Sequence, residues 1–355
     1  KKISKKLKLV EEITGTTTKT NTADPKPRKT KQPSFAIIAD DIDIQQIIGD
    51  TKVIERLPKK DKKVLLRANA YYMNNRESFI NFINALYKPF KEEFDKISQT
   101  LSCDKPKDAQ FQLLTHQKIV RDYLNLYSPY RGLLLYHGLG TGKTCSSIAI
   151  AEGLKTDKQI IVMTPASLRV NYLQELKSCG DPLYKTNQYW DFIPIDKNSD
   201  KKLIDTLASV LSISTEYIKK HGGAWLVNVK KKSNFNELTA EQKKSLDLQI
   251  NEMITHKYRF ISYNGIRKSH VKDLTQNYTT NLFDNKVVII DEAHNFVSRI
   301  VNKLRFPESP SMRLYEYLLS AQNCRIIFLS GTPIINYPNE IGIMFNMLRG
   351  YIKTW

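Results

Sequence analysis

The residues best suited to chemistry lie between Leu133 and Thr144. An apolar run, Leu133-Leu134-Leu135-Tyr136, leads into His137-Gly138-Leu139-Gly140-Thr141-Gly142-Lys143-Thr144. A phosphate gripped by backbone N–H groups needs a loop without bulky side chains, and Gly138, Gly140 and Gly142 supply one. A helix opening just beyond it adds unpaired N–H groups and a positive dipole end. Lys143 offers a point charge to the β and γ phosphates, and the Thr144 hydroxyl can ligate Mg²⁺. Gly138, Gly140, Thr141, Gly142, Lys143 and Thr144 are therefore the expected nucleotide-binding residues, and ATP with Mg²⁺ the expected ligands. The common pattern G-x-x-x-x-G-K-[ST] has glycine where this chain has His137. The three remaining glycines keep the loop open.

A second cluster is Val287-Val288-Ile289-Ile290, then Asp291-Glu292-Ala293-His294, with Asp291 147 residues after Thr144. Four β-branched residues make a buried strand, and the acids sit at its C-terminal end, where open α/β sheets place ligands. Asp291 can hold Mg²⁺ and Glu292 can deprotonate the attacking water. Lys143, Asp291 and Glu292 are the expected catalytic set, and Thr144 with Asp291 the expected metal set.

These residues need a scaffold. From Gln110 to Trp355 short apolar runs alternate with amphipathic stretches, the pattern of an α/β lobe with a mostly parallel sheet flanked by helices. The predicted strands are Gly132–Tyr136, Gln159–Met163, Phe260–Ser262, Lys286–Ile290 and Arg325–Leu329, with a sixth at Ala224–Val229. A lysine-rich insertion is expected over about 196–257, with a capping-box helix start at Thr239-Ala240-Glu241-Gln242. Residues 33–109 read as a helical extension. Its stripe Phe79, Phe82, Ile83, Leu86, Phe90, Phe94 and Ile97 is helical in period and interrupted by Pro89. Residues 33–60 within it read as a docking segment.

Residues 1–32 hold ten Lys or Arg against three acids and read as a basic flexible arm. The whole chain of 355 residues carries a formal charge of +19. Such a field attracts polyanions, nucleic acid first and an anionic membrane surface second. No apolar run is long enough to span a bilayer, so no membrane partner is expected. Cys103, Cys145, Cys179 and Cys324 show no metal-ligand spacing. They read as thiols of a reduced, intracellular compartment.

The order of these motifs resembles the superfamily 2 helicases and nucleic-acid translocases of the DEAH-box type. The resemblance implies a RecA-like P-loop NTPase lobe. Phe328-Leu329-Ser330-Gly331-Thr332-Pro333 is similar to motif III of that family, which makes Ser330 and Thr332 coupling residues in contact with His294. Leu113-Leu114-Thr115-His116-Gln117 is similar to the motif that reads adenine, which assigns Gln117 to the base. Met163-Thr164-Pro165-Ala166-Ser167-Leu168 and Ser262-Tyr263-Asn264 resemble backbone-contacting loops. They assign Pro165, Ala166, Ser167, Tyr263 and Asn264 to DNA or RNA. Flanking residues, including Asn346-Met347-Leu348-Arg349-Gly350-Tyr351-Ile352, further resemble helicases of nucleocytoplasmic large DNA viruses, the poxvirus early transcription factor small subunit among them. That implies viral transcription machinery as a partner and a cytoplasmic virus factory or virion as location.

The resemblance also implies a second RecA lobe bearing arginine fingers. Only 22 residues follow Pro333, with Arg349 the single arginine among them. The expectation is an N-terminal portion of a longer protein, inactive alone. An ATP-dependent helicase or translocase is the leading function, with a transcription factor carrying a DNA-dependent ATPase as the alternative.

Overall fold

The computed structural model describes residues 113–125, 130–138, 140–154, 158–195 and 201–350. It also describes 47–48, 51–58 and scattered positions between 37 and 91. The expected basic arm, 1–32, lies outside the described residues.

From Thr115 the chain runs α1 (Thr115–Asn125), β1 (Gly132–Tyr136), α2 (Lys143–Leu154), β2 (Gln159–Thr164) and α3 (Arg169–Cys179). Then come β3 (Trp190–Pro194), α4 (Lys201–Leu211), α5 (Thr215–Lys220), β4 (Gly223–Val227), α6 (Ala240–Lys257) and β5 (Tyr258–Ser262). The lobe closes with α7 (Lys268–Leu274), β6 (Lys286–Ile290), α8 (Ala293–Val301), α9 (Pro310–Ser320), β7 (Arg325–Ser330) and α10 (Asn339–Arg349). Five strands form one parallel sheet in the order β1-β7-β6-β2-β5. The α/β lobe with helices against a parallel sheet is thus present.

Period-two alternation explains the packing. In β6, Val287 and Ile289 join Ile148, Ile160 and Val162 on one face. Val288 and Ile290 join Ile161, Met163 and Phe328 on the other. All four β6 residues are fully buried, each worth roughly 1.5–3 kcal/mol relative to exposure. The register pairs Ile290 with both Met163 and Phe328. The strands therefore end level, and the residues that follow them share one edge.

The sixth predicted strand is real but lies outside that sheet. β4 pairs antiparallel with β3, whose residues the sequence reading left unassigned. β3 ends in proline and carries Asp191, so it lacks a buried-strand signature. The departure from the sheet therefore begins by Trp190, ahead of the expected 196. At its far end the Thr239 hydroxyl accepts from the Gln242 N–H, and the Gln242 side chain accepts from the Thr239 N–H. Segment 51–58 docks on this hairpin. Arg56 is buried, with Nη1 3.2 Å from Asp191 and its other nitrogens donating to Ile48 O and Thr51 Oγ1. The segment expected to be a helical extension carries short antiparallel pairs, Ile37–Ile38 with Val64–Leu65 and Ile47–Ile48 with Thr51–Lys52. Farther along it, the Tyr87 hydroxyl donates to Ile119 O in α1 at 3.0 Å.

The cysteines require a correction. Cys145 in the first turn of α2 and Cys179 at the end of α3 form a disulfide, Cα atoms 5.6 Å apart and 34 residues apart in sequence. Two packed helices bring together what sequence spacing keeps distant. The inference of a reducing compartment from unpaired thiols no longer follows. Cys324 is free and buried, and Cys103 lies outside the described residues. No helix among the described residues is long and apolar enough to cross a membrane.

Candidate nucleotide and nucleic-acid site

The loop after β1 turns through Gly140 at φ 76° and Gly142 at φ 75°, where a side chain is strained. A Cβ on Gly142 would also meet the Gln117 side chain at 2.3 Å, whereas Gly140 faces open space. His137 does not have a positive φ, so its position needs no glycine. Burial, with His116 and Lys143 adding to it, pushes the His137 imidazole below its ordinary value. His137 therefore adds no charge to the loop at neutral pH.

Lys143 reaches back across the loop. Its ammonium donates to His137 O at 3.0 Å and to Gly138 O at 2.9 Å. The Thr141 hydroxyl donates to Gly138 O at 2.8 Å. Gln117 is buried, its amide donating to Gly142 O at 3.2 Å and its oxygen accepting from the Leu114 N–H at 2.9 Å. Gln117, the residue the resemblance assigns to the base, thus links the glycine loop to the start of α1.

Asp291 and Glu292 stand at the end of β6. Strand β7 lies between β6 and β1, and a Cβ on Gly331 just past it would lie 3.7 Å from Lys143 Nζ. Burial, followed by the Glu292 carboxylate, raises the Asp291 carboxyl to about 6; the Glu292 N–H and Lys143 pull it down. Two neighbouring carboxylates, one of them desolvated, ask for a cation. Asp291 and Thr144 offer hard oxygen ligands, which suits Mg²⁺. The open loop at Gly140, with Lys143 beside it, suits a polyphosphate.

Glu292 itself is left-handed, φ 47° and ψ 51°, at the N-cap of α8. Its carboxylate lies 3.5 Å from His294 Nδ1. The same nitrogen is 2.9 Å from Ser330 Oγ, which accepts the Thr332 N–H at 3.1 Å. The structure thus brings His294 and Ser330 together and links Thr332 through its backbone.

Beside Glu292 opens a cleft of about 530 Å³ lined by Pro165, Ser167, Leu168, Asn264, Asn295, Ser298, Arg299 and Asn302. Ala166, between Pro165 and Ser167 in sequence, is exposed. Tyr263 departs from its expected place. Its ring is buried and its hydroxyl contacts the Asp291 and Glu292 carbonyls, so it does not present itself to a nucleic-acid backbone. Burial, and then the two acids, raise its phenol well above the usual range, which keeps it a donor. Sequence reading missed Asn295, Ser298, Arg299 and Asn302. Their i, i+3, i+4, i+7 spacing marks one polar face of α8, opposite Phe296, Val297 and Ile300.

Residues 116–353 match the family described as the SNF2-related domain. A protein of Acanthamoeba polyphaga mimivirus named as an ATP-dependent RNA helicase is 30% identical over 290 residues, covering 78% of this chain and 40% of the relative. A termination factor NPH-I homolog of African swine fever virus is 24% identical over 286 residues, covering 80% of the chain and 31% of the relative. The SWI2/SNF2 ATPase core of Sulfolobus solfataricus, solved in complex with dsDNA, is 14% identical with a TM-score of 0.35. That match covers 70% of this chain and 38% of the other. The chain spans less than half the length of each.

Proposed function

The chain belongs to the SNF2-related family, and from that premise we propose that it is the nucleotide-binding lobe of an ATP-driven motor on nucleic acid. One relationship carries this reading. Lys143 and the Asp291-Glu292 pair share one edge of the sheet, after strands separated only by β7.

The loop N–H groups and Lys143 grip the phosphates, and Lys143 exchanges its carbonyl partners for phosphate oxygens. Thr144 and Asp291 would hold Mg²⁺, which would supply positive charge to offset that of the phosphates and of the two acids. Glu292 accepts the proton of the attacking water. His294, Ser330 and Thr332 pass the state of the site to the loop beyond β7. Gln117 holds the glycine loop, leaving the base to be recognised elsewhere. Pro165, Ala166, Ser167 and Asn264 meet the phosphate backbone of DNA or RNA, with Arg299 beside them, and the charge of +19 supports a polyanionic partner.

We expect hydrolysis by this lobe to be slow unless an arginine finger is supplied to the site. The viral origin of the relatives supports a viral protein, and a virus factory or virion is the place we propose for it. The name of the African swine fever virus relative favours a second reading, a transcription factor whose ATPase works with viral transcription machinery without separating strands.

Nucleotide binding and phosphate release, measured with and without DNA and RNA, test the proposal. Lys143→Ala should weaken ATP binding by at least about tenfold, and Glu292→Gln should keep binding and lose hydrolysis. Unchanged hydrolysis in Glu292→Gln removes it as the base. Strand-separation assays on the protein carrying this lobe decide between helicase and transcription factor.

A further inference from the structure

Tyr263 follows β5 directly and turns inward. Its ring is 1% exposed and packs against Phe296 of α8, centroids 5.5 Å apart. Its hydroxyl lies 3.0 Å from the Asp291 carbonyl oxygen and 3.1 Å from that of Glu292. One O–H is thus shared between two successive carbonyls.

Those carbonyls bracket an unusual conformation. Glu292 sits at φ 47° and ψ 51°, a region that costs a residue with a side chain roughly 1–3 kcal/mol and persists only where the surroundings impose it. Two local bonds help. The Glu292 N–H donates to Asp291 Oδ1 at 3.0 Å, and the Asn295 N–H donates to Glu292 O at 2.9 Å. Both belong to the turn itself and move with it. The Asp291 N–H also donates to Met163 O of β2 at 2.9 Å, which holds the turn on its N-terminal side. Tyr263, just past β5, reaches the Glu292 carbonyl on the other side, so it ties the far half of the turn to the sheet.

We propose that Tyr263 is a positioning residue for hydrolysis, its hydroxyl latching the Asp291–Glu292 turn in the left-handed conformation that aims the Glu292 carboxylate. The proposal rests on reading Glu292 as the base. It assigns Tyr263 no contact with nucleotide or nucleic acid. The latch acts on the direction of the carboxylate and leaves the glycine loop untouched. Its removal therefore slows the chemical step and spares nucleotide binding.

Tyr263→Phe removes one oxygen and keeps the packed ring. The test is single-turnover hydrolysis of Mg-ATP with the chain in excess over hours, with nucleic acid present. Affinity for a fluorescent ATP analogue and hydrogen exchange by peptide are measured alongside. The expected result is a rate lower by at least about tenfold, the equivalent of one lost hydrogen bond. Affinity should stay within about twofold of wild type. Exchange at residues 292–295 should accelerate by about tenfold while β2 and β6 keep their protection. A Tyr263→Phe variant that hydrolyses at the wild-type rate overturns the proposal alone. So does slowing matched by lost affinity or by loosening of the whole sheet, since that is a structural role. A wild-type chain that binds ATP and never hydrolyses it sinks the ATPase reading, and the proposal with it.

Discussion

His294 and Ser330 stand 2.9 Å apart, Nδ1 to Oγ, across the ends of neighbouring strands β6 and β7. On one side the imidazole lies 3.5 Å from the Glu292 carboxylate. On the other, the hydroxyl accepts the Thr332 N–H. A carboxylate, an imidazole, a hydroxyl and a loop amide thus form one path from the acid pair to the segment after β7.

Ser330→Ala cuts that path in its middle. Ser330 is fully buried, so the change strands the Thr332 N–H and leaves the imidazole nitrogen only its 3.5 Å contact with Glu292, at a cost of about 1–3 kcal/mol. Thermal melts should show a Tm lower by several degrees. Stimulation of hydrolysis by nucleic acid should fall toward none. Full stimulation in a destabilised variant would show that Ser330 only supports the fold.

Asp291 gives the site a pH dependence. Its carboxyl is raised to about 6 from 3.8, by burial first and Glu292 second. The folded state therefore binds this proton more tightly than the unfolded chain. Its contribution to stability falls as pH rises from about 4 to about 6, then levels off at a cost on the order of 2–3 kcal/mol. Asp291→Asn removes that cost. Without metal, the variant's Tm advantage should grow from pH 4 to 6 and then hold constant. In the unmodified chain, Mg²⁺-dependent ATP binding should weaken as pH drops through about 6, and the variant should lack it. A Tm difference that does not vary with pH would contradict the raised carboxyl.

The glycine loop and the acid pair were legible because their chemistry needs neighbouring residues, and the sheet because its strands are short and wholly apolar. Facing was harder to read. The resemblance of Ser262-Tyr263-Asn264 to a backbone-contacting loop assigns Tyr263 to nucleic acid, yet Ile261 and Tyr263 share one buried cluster. Extending the alternation of β5 past its end places the tyrosine inside. Gln117 lies near the nucleotide loop as expected, but sequence does not show that Gly142 and Leu114 would occupy its amide. The α8 polar stripe was readable from period alone. The Cys145–Cys179 bond was not, because helix, strand and helix intervene.

That bond should stabilise the lobe. Closing a loop of 34 residues removes unfolded-chain entropy worth about 3–4 kcal/mol in the chain-entropy account. Reduction by a strong thiol reagent, or Cys179→Ala, should lower Tm by several degrees. Reduction should have no further effect on the variant. A Tm indifferent to reductant would mean the pair contributes nothing in solution.

Arg299 supplies the sharpest test of the cleft. It is exposed on the polar face of α8 and lines the cleft with Pro165, Ser167 and Asn264. A cation there that neutralises one phosphate releases about one counterion, so Arg299→Ala should reduce the slope of log affinity against log salt by about 1. Arg299 also sits in the last turn of α8, where a cation opposes the helix dipole for about 0.3–1 kcal/mol. Salt dependence separates the two roles. A helix-end role lowers the Tm of the alanine variant and leaves the slope alone. A phosphate role lowers the slope, and Arg299→Lys restores it by retaining the charge. Titrating labelled DNA and RNA duplexes over a range of salt, with melts run in parallel, reads both. An unchanged slope in Arg299→Ala takes Arg299 out of the nucleic-acid path.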